Sequence, residues 1–141
     1  MGISPAAFSA VGAGLAAIGA GIPINESRGH MVVDIGAGTT DVAVISLGGI
    51  VASISVKCAG DRLDRAITDY IRKTYNLAVG DGTAEKVKIA IGSAVPVEEE
   101  LMVAVRGRDF ITGLPRQFDL KTNDIVKAIG KELREIIKAI R

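Results

Sequence analysis

MVVDIGAGTTDVAVISL, residues 31–47, reads as two short apolar runs broken by a glycine loop. Met31 to Ile35 has the length and composition of a buried strand, and Asp41 to Leu47 of the next. A glycine loop between two strands differs from the Walker loop and from the dinucleotide fingerprint, each of which leads from a strand into a helix. The chemistry is nonetheless related. Glycines let main-chain N–H groups turn inward and come close to an anion. The hydroxyls of Thr39 and Thr40 supply further donors. Asp34, at the end of the first strand, would repel a phosphate directly, and a hydrated cation such as Mg²⁺ between the two resolves the conflict. Acid, glycines and hydroxyls together ask for a metal–nucleotide complex. The alternative is a plain turn between antiparallel strands, because Gly-x-Gly-Thr by itself has little specificity.

Outward from this loop, Gly48-Gly49 links the second strand to Ile50–Lys57, which predicts a hairpin. Upstream, Met1–Asn25 is rich in Ala and Gly, and no charge occurs before Glu26. No basic stretch opens it as in a secretory signal, and Ala and Gly dominate where a membrane span needs about 20 strongly apolar residues. A helix buried in a soluble core is the expectation. Gly12, Gly14 and Gly19 would allow close approach to a sheet, while weakening an isolated helix by about 1 kcal/mol each. Pro23 would end it.

Downstream, Leu63, Ala66, Ile67, Tyr70 and Ile71 form a helical stripe within Asp61–Tyr75. A second helix is predicted over Thr83–Ile91, with Thr83 as N-cap and Ala84, Val87 and Ile91 facing inward. Leu101–Asp109 and Arg116–Leu120 read as strands around a turn holding Gly113 and Pro115. A last helix begins after Thr122, with Ile125, Ile129, Leu133, Ile136, Ile137 and Ile140 on its buried face. The order predicts an α/β chain whose middle third is set apart.

Composition narrows the function. With 17 basic and 16 acidic residues in 141, the net charge of +1 argues against a nucleic-acid platform. One cysteine and one histidine exclude an internal disulfide framework, a thiolate zinc cluster and a histidine-rich metal site. Aromatic residues at 4% leave little for stacking on bases. Among single residues, His30 reads as a loop histidine and Cys58 as a small buried residue near a strand end. Glu98–Glu100 reads as a solvated loop. Asp61 and Asp64 could cap a helix start or, at i, i+3, share a helix face as a carboxylate pair without an evident acid–base partner. Glu85 and Lys88 share a face by the same spacing, and on their own read as a solvated ion pair.

The segment SRGHMVVDIGAGTTDVAVISLGGIV resembles the second phosphate loop of the actin-like ATPase superfamily. Two further stretches, GDRLDRAITDYIRKTYNLAVGDGTAEKVKIAIGSA and VRGRDFITGLPRQFDL, follow in order and are similar to the MreB family of bacterial actins. The resemblance runs from about Ala16 to Arg141. It implies part of the second lobe of an actin-like, ribonuclease H-like fold: a mixed β-sheet with flanking helices plus a small α/β subdomain. Residues 1–59 and 120–141 would form the IIA-like core and residues 60–119 the IIB-like subdomain. The first lobe would be missing.

The resemblance also implies roles. Gly36, Ala37, Gly38, Thr39 and Thr40 would hold the terminal phosphates of ATP, with Thr39 also near the attacking water. Asp34 would meet Mg²⁺ through water, and Glu85 and Lys88 would contact the nucleoside. The family's function is that of a cytoplasmic, ATP-binding filament protein that determines rod shape at the inner face of the cell membrane. This stretch would lack ATPase activity alone and make no direct contact with the membrane. Ala37 stands where the family usually has Gly, and Asp41 where it usually has Glu, as in FtsA-like division proteins. Those proteins, sugar kinases and heat-shock chaperone ATPases share the acid–glycine–threonine loop and are the alternatives.

Overall fold

The computed structural model describes residues 5–141, with side chains from residue 10 onward. The part of the Ala/Gly-rich opening before Pro5 lies outside the described residues. The chain divides into two compact units, Met1–Gly60 with Glu135–Arg141, and Asp61–Arg134.

The first unit is a helix on a three-stranded antiparallel sheet. Helix α1 (Pro5–Gly19) is followed by β1 (His30–Ile35), β2 (Thr40–Ser46) and β3 (Gly49–Val56), in spatial order β1-β2-β3. Alternation sets the two sheet faces. Val32 of β1 and Ile45 of β2 pack against Ala17 of α1, with Ala16, Ile22 and Ile24 around them. Thr40 and Val42 point to the opposite face and are also buried. The predicted buried helix is therefore covered on one side. Ala13 and Ala17 face inward, whereas Val11, Leu15 and Ile18 are each about 60% exposed or more. Close approach comes from these alanines and not from Gly12, Gly14 or Gly19, since a Cβ at any of the three would meet nothing within 4 Å. The helix also ends before Pro23. Gly21 takes φ +71°, and the N–H groups of Gly21 and Ile22 donate to the carbonyls of Ile18 and Ala17, closing the last turn.

His30 opens β1 and is not a loop residue. The β2–β3 connection is shifted by one residue from the Gly48-Gly49 expectation. Ser46 pairs with Gly49, leaving Leu47 and Gly48 as the two turn residues, at φ +52° and +73°. Positive φ at both positions is the type I′ requirement that matches sheet twist. The turn is held from outside by Leu47 N–H to Glu26 O (3.0 Å) and Gly48 N–H to Ile24 O (2.7 Å). β3 is one of the sheet's two outer strands, has no ionisable residue, and is exposed over nearly its whole length.

The second unit begins along α2 (Gly60–Tyr75) and holds β4 (Leu77–Ala78), α3 (Asp81–Ile91), β5 (Met102–Asp109) and β6 (Pro115–Lys121), with sheet order β4-β5-β6. Helix α4 (Thr122–Ile140) contributes its residues up to Arg134 to this unit. Ile67 and Ile71, Leu77, Leu120 and Ile125 are fully buried together with Ala84 and Val87. Each such large aliphatic side chain contributes about 1.5–3 kcal/mol through burial. Tyr75 stacks on Phe118 at 4.9 Å between ring centroids. α3 starts earlier than predicted. Gly80 occupies the N-cap position without a side-chain bond, and Thr83 lies inside the first turn with its N–H on Gly80 O. α4 is capped by Asp124, which accepts from Lys121 N–H, while the Asn123 side chain ties the loop before β5 to the helix by pairing with both main-chain groups of Val97. The acidic loop residue Glu100 accepts the N–H of Asn123. Among the described residues, no helix is long and apolar enough to cross a membrane.

Two predictions follow from the turns. Leucine in the left-handed region costs about 1 kcal/mol that asparagine largely avoids, and the Leu47 side chain is 71% exposed. Leu47→Asn is expected to raise the unfolding free energy by about 0.5–1 kcal/mol in urea titration. At the β5–β6 tip, Asp109 accepts the N–H groups of Thr112 (3.1 Å) and Ile111 (2.8 Å), which hold its carboxyl below the usual carboxylate range. A depressed folded pKa means that the turn's stabilisation is complete above the unfolded value and fades as pH falls through the lower folded one. The Ile111 and Thr112 amide resonances should shift together in an acid titration, with a midpoint below that of an unperturbed aspartate.

Candidate phosphate loop and nucleoside-side helix

The strand register defines the loop. Ile35 pairs with Thr40, so the four residues Gly36–Ala37–Gly38–Thr39 cross from β1 to β2. Gly36 N–H donates to Thr39 O at 3.0 Å and closes the turn. All four residues are exposed. Ala37 does not have positive φ, so its methyl group fits the turn without strain.

The loop is tied from behind. Thr40 Oγ1 donates to Cys58 O at 2.6 Å, and Gly60 N–H donates to Gly36 O at 3.0 Å. Thr40 is fully buried, as are Cys58 and Ala59 beside it. The two threonines thus differ. The Thr39 hydroxyl is on the exposed side and donates to Asp41 Oδ2 at 3.2 Å, whereas the Thr40 hydroxyl is committed inward. Sequence alone does not separate them. The signal that does is alternation, since Thr40 shares a face with buried Val42.

Asp34 and Asp41 are direct cross-strand partners one step before the turn. Like charges placed opposite each other on a sheet repel. Such a pair fits a shared hydrated divalent cation, which is held through one or two carboxylates while keeping most of its waters. Among the described residues, no group of three or more His, Cys, Asp or Glu side chains forms a direct metal cage.

In the second unit, Glu85 and Lys88 lie one turn apart on α3. Glu85 is exposed. Lys88 is not the solvated half of a pair with Glu85: its Nζ lies 2.8 Å from Asp64 Oδ1, with side-chain exposures of 21% and 11%. Asp64 therefore neither caps α2 nor forms a carboxylate dyad with Asp61. It occupies the buried stripe of α2 that continues through Ile67 and Ile71. The spacing 64, 67, 71 carried that information, but a reading restricted to apolar residues passes over it. A cavity of about 190 Å³ between α2 and β4 contains none of the expected residues, and its polar lining includes Asp69 and Arg72, paired at 2.9 Å.

The family model described as MreB/Mbl protein matches residues 11–141. The cell shape-determining protein MreB of Escherichia coli K12 is 51% identical over 125 residues, which are 89% of this chain and 36% of that protein. The chain thus spans little more than a third of the relative's length. Among solved structures, MreB5 of Spiroplasma citri bound to ADP superposes with a TM-score of 0.87 at 43% identity, covering 91% of this chain and 39% of that one. The MamK double helical filament superposes with a TM-score of 0.65 at 25% identity, covering 91% and 38%. These matches favour a filament family over the FtsA-like, sugar-kinase and heat-shock alternatives. On the strength of a match over nearly its whole length, the chain belongs to the MreB/Mbl family of actin-like proteins, the family of the cell shape-determining MreB.

Proposed function

We propose that this chain is the nucleotide-binding portion of the second lobe of an MreB-like filament protein, with a IIA-like core of residues 1–59 and 120–141 and a IIB-like subdomain of residues 60–119. The observation that carries the nucleotide reading is Gly38. Its φ is not positive, and a Cβ there would meet nothing within 4 Å. Neither backbone conformation nor internal packing calls for glycine at this exposed crest. Glycine there leaves the main chain open to close approach by an external group.

In this reading the turn presents the amides of Ala37, Gly38 and Thr39 to the terminal phosphates of ATP, in the manner of a backbone anion nest. Gly36 shapes the turn with its own N–H. Thr40 acts from behind, by fixing the loop to Cys58. The Thr39 hydroxyl lies on the γ-phosphate and water side. Asp34, opposite Asp41, holds Mg²⁺ through water and offsets the phosphate charge. Glu85 and Lys88 serve the nucleoside. Bound ADP in the MreB5 neighbour supports the nucleotide class.

In a complete two-lobed protein, ATP would favour the closed arrangement of the lobes. Subunits would add head to tail through unlike surfaces, which generates an open polymer and not a closed ring. That protein would hydrolyse ATP and work in the cytoplasm at the inner face of the cell membrane, determining rod shape. The present chain supplies one side of the phosphate clamp. It is expected to bind ATP·Mg²⁺ only in the millimolar range, about 4 kcal/mol of binding free energy, to remain unpolymerised, and not to sediment with liposomes.

Two measurements test this. An amide-resolved NMR titration with ATP·Mg²⁺ should shift Ala37, Gly38 and Thr39, and calorimetry giving micromolar affinity would contradict the half-clamp. Gly38→Ala should change unfolding free energy by less than about 0.5 kcal/mol while removing those shifts. An unchanged titration in that variant would refute the loop assignment.

A further inference from the structure

We infer that Asp64 is a positioning residue for nucleoside recognition, aiming the Lys88 ammonium from beneath. The inference rests on the nucleotide reading above, which assigns Lys88 to the nucleoside but gives no part to Asp64.

The position is unusual for a carboxylate. Asp64 is 8% exposed and stands in line with Ile67 and Ile71, both fully buried. An aliphatic residue would extend that stripe, and replacing a buried ion pair by well-packed apolar side chains is often neutral or stabilising. Stability alone therefore does not call for an acid here. What the acid does is visible across the interface between α2 and α3. Its Oδ1 is 2.8 Å from Lys88 Nζ. Lysine is a flexible four-carbon stem ending in a compact charge with three donors. Left to itself on a helix it would sample many rotamers, and ordering it on ligand arrival would weaken binding. The ion pair with Asp64 selects a direction before any ligand arrives, which is preorganisation. The Lys88 side chain keeps 21% of its surface exposed, and Glu85 lies one turn earlier on the same helix. A fixed cation with an exposed acid one turn earlier on the same helix suits a ligand with both acceptors and hydroxyl donors, as a ribose with its attached base has. They do not suit phosphate alone.

The test uses the chain as it is, with ADP and inorganic pyrophosphate as probes in parallel NMR titrations, both with Mg²⁺. Pyrophosphate carries the phosphate chemistry alone, and ADP adds the ribose and base. Asp64→Asn, compared at a temperature where circular dichroism shows both proteins folded, should weaken ADP binding at least fivefold and leave pyrophosphate within twofold. A purely structural role would alter the melting temperature and leave the ADP-to-pyrophosphate ratio unchanged. Should Asp64→Asn fail to fold, Asp64→Glu is read in the same way, since it keeps the charge and displaces it by one methylene. The exchange Asp64→Lys with Lys88→Asp keeps a pair and should fold, yet lose the preference for ADP. ADP binding by the unaltered chain that persists within twofold in Asp64→Asn, or in Asp64→Glu where that variant stands in, overturns this inference alone. Absence of any ADP-dependent shift in the unaltered chain overturns the nucleotide reading and this inference with it.

Discussion

A hydroxyl–carbonyl contact behind the glycine turn is the constraint on which the site depends. Thr40 Oγ1 and Cys58 O are 2.6 Å apart in a fully buried setting. With Gly60 N–H on Gly36 O, this bond joins the end of β3 to the start of the turn that precedes β2. A four-residue connection of small side chains has little packing of its own. Its shape is therefore imposed by what lies under it. A buried, short hydrogen bond is worth more than an exposed one because water does not compete for its partners. The sheet thus supplies rigidity to a loop that must expose its main chain.

Local signals made much of the fold legible. The apolar runs after Arg28 fell where β1 and β2 form, and the stripe of α2 matched its buried isoleucines; in α4 Ile125, Ile129 and Ile136 are buried, whereas Ile137 and Ile140, predicted on the same face, are exposed near the end of the helix. What escaped was decided by geometry that short-range patterns do not encode. β4 is two residues long and follows Asn76 at φ +54°, so no periodicity announces it. Gly80 heads α3 although Thr83 is the better capping residue by type. The turn between β2 and β3 took Leu47 in preference to Gly49, because register with β2 outweighs the conformational comfort of one residue.

The candidate site shows the same split. The glycine loop and its acid could be read from spacing, because the chemistry of binding a phosphate restricts residue type at consecutive positions. The partition of labour between Thr39 and Thr40 could not, since both have the same functional group and only burial separates them. Asp64 was hidden for the opposite reason. Its function concerns a residue 24 positions away, and nothing local in α2 requires it. Long-range ion pairs of this kind enter a sequence as single exceptions to an apolar pattern.

Helix α1 wears its sizes inside out. Small methyl groups at Ala13 and Ala17 touch the sheet, and the wide side chains of Val11, Leu15 and Ile18 look away from it. Thin padding draws the helix axis down onto the strands, and it leaves a ridge of branched carbon in contact with water. Sulfate and similar salts, excluded from the protein surface, make such a ridge more adhesive and favour contacts between molecules along this helix.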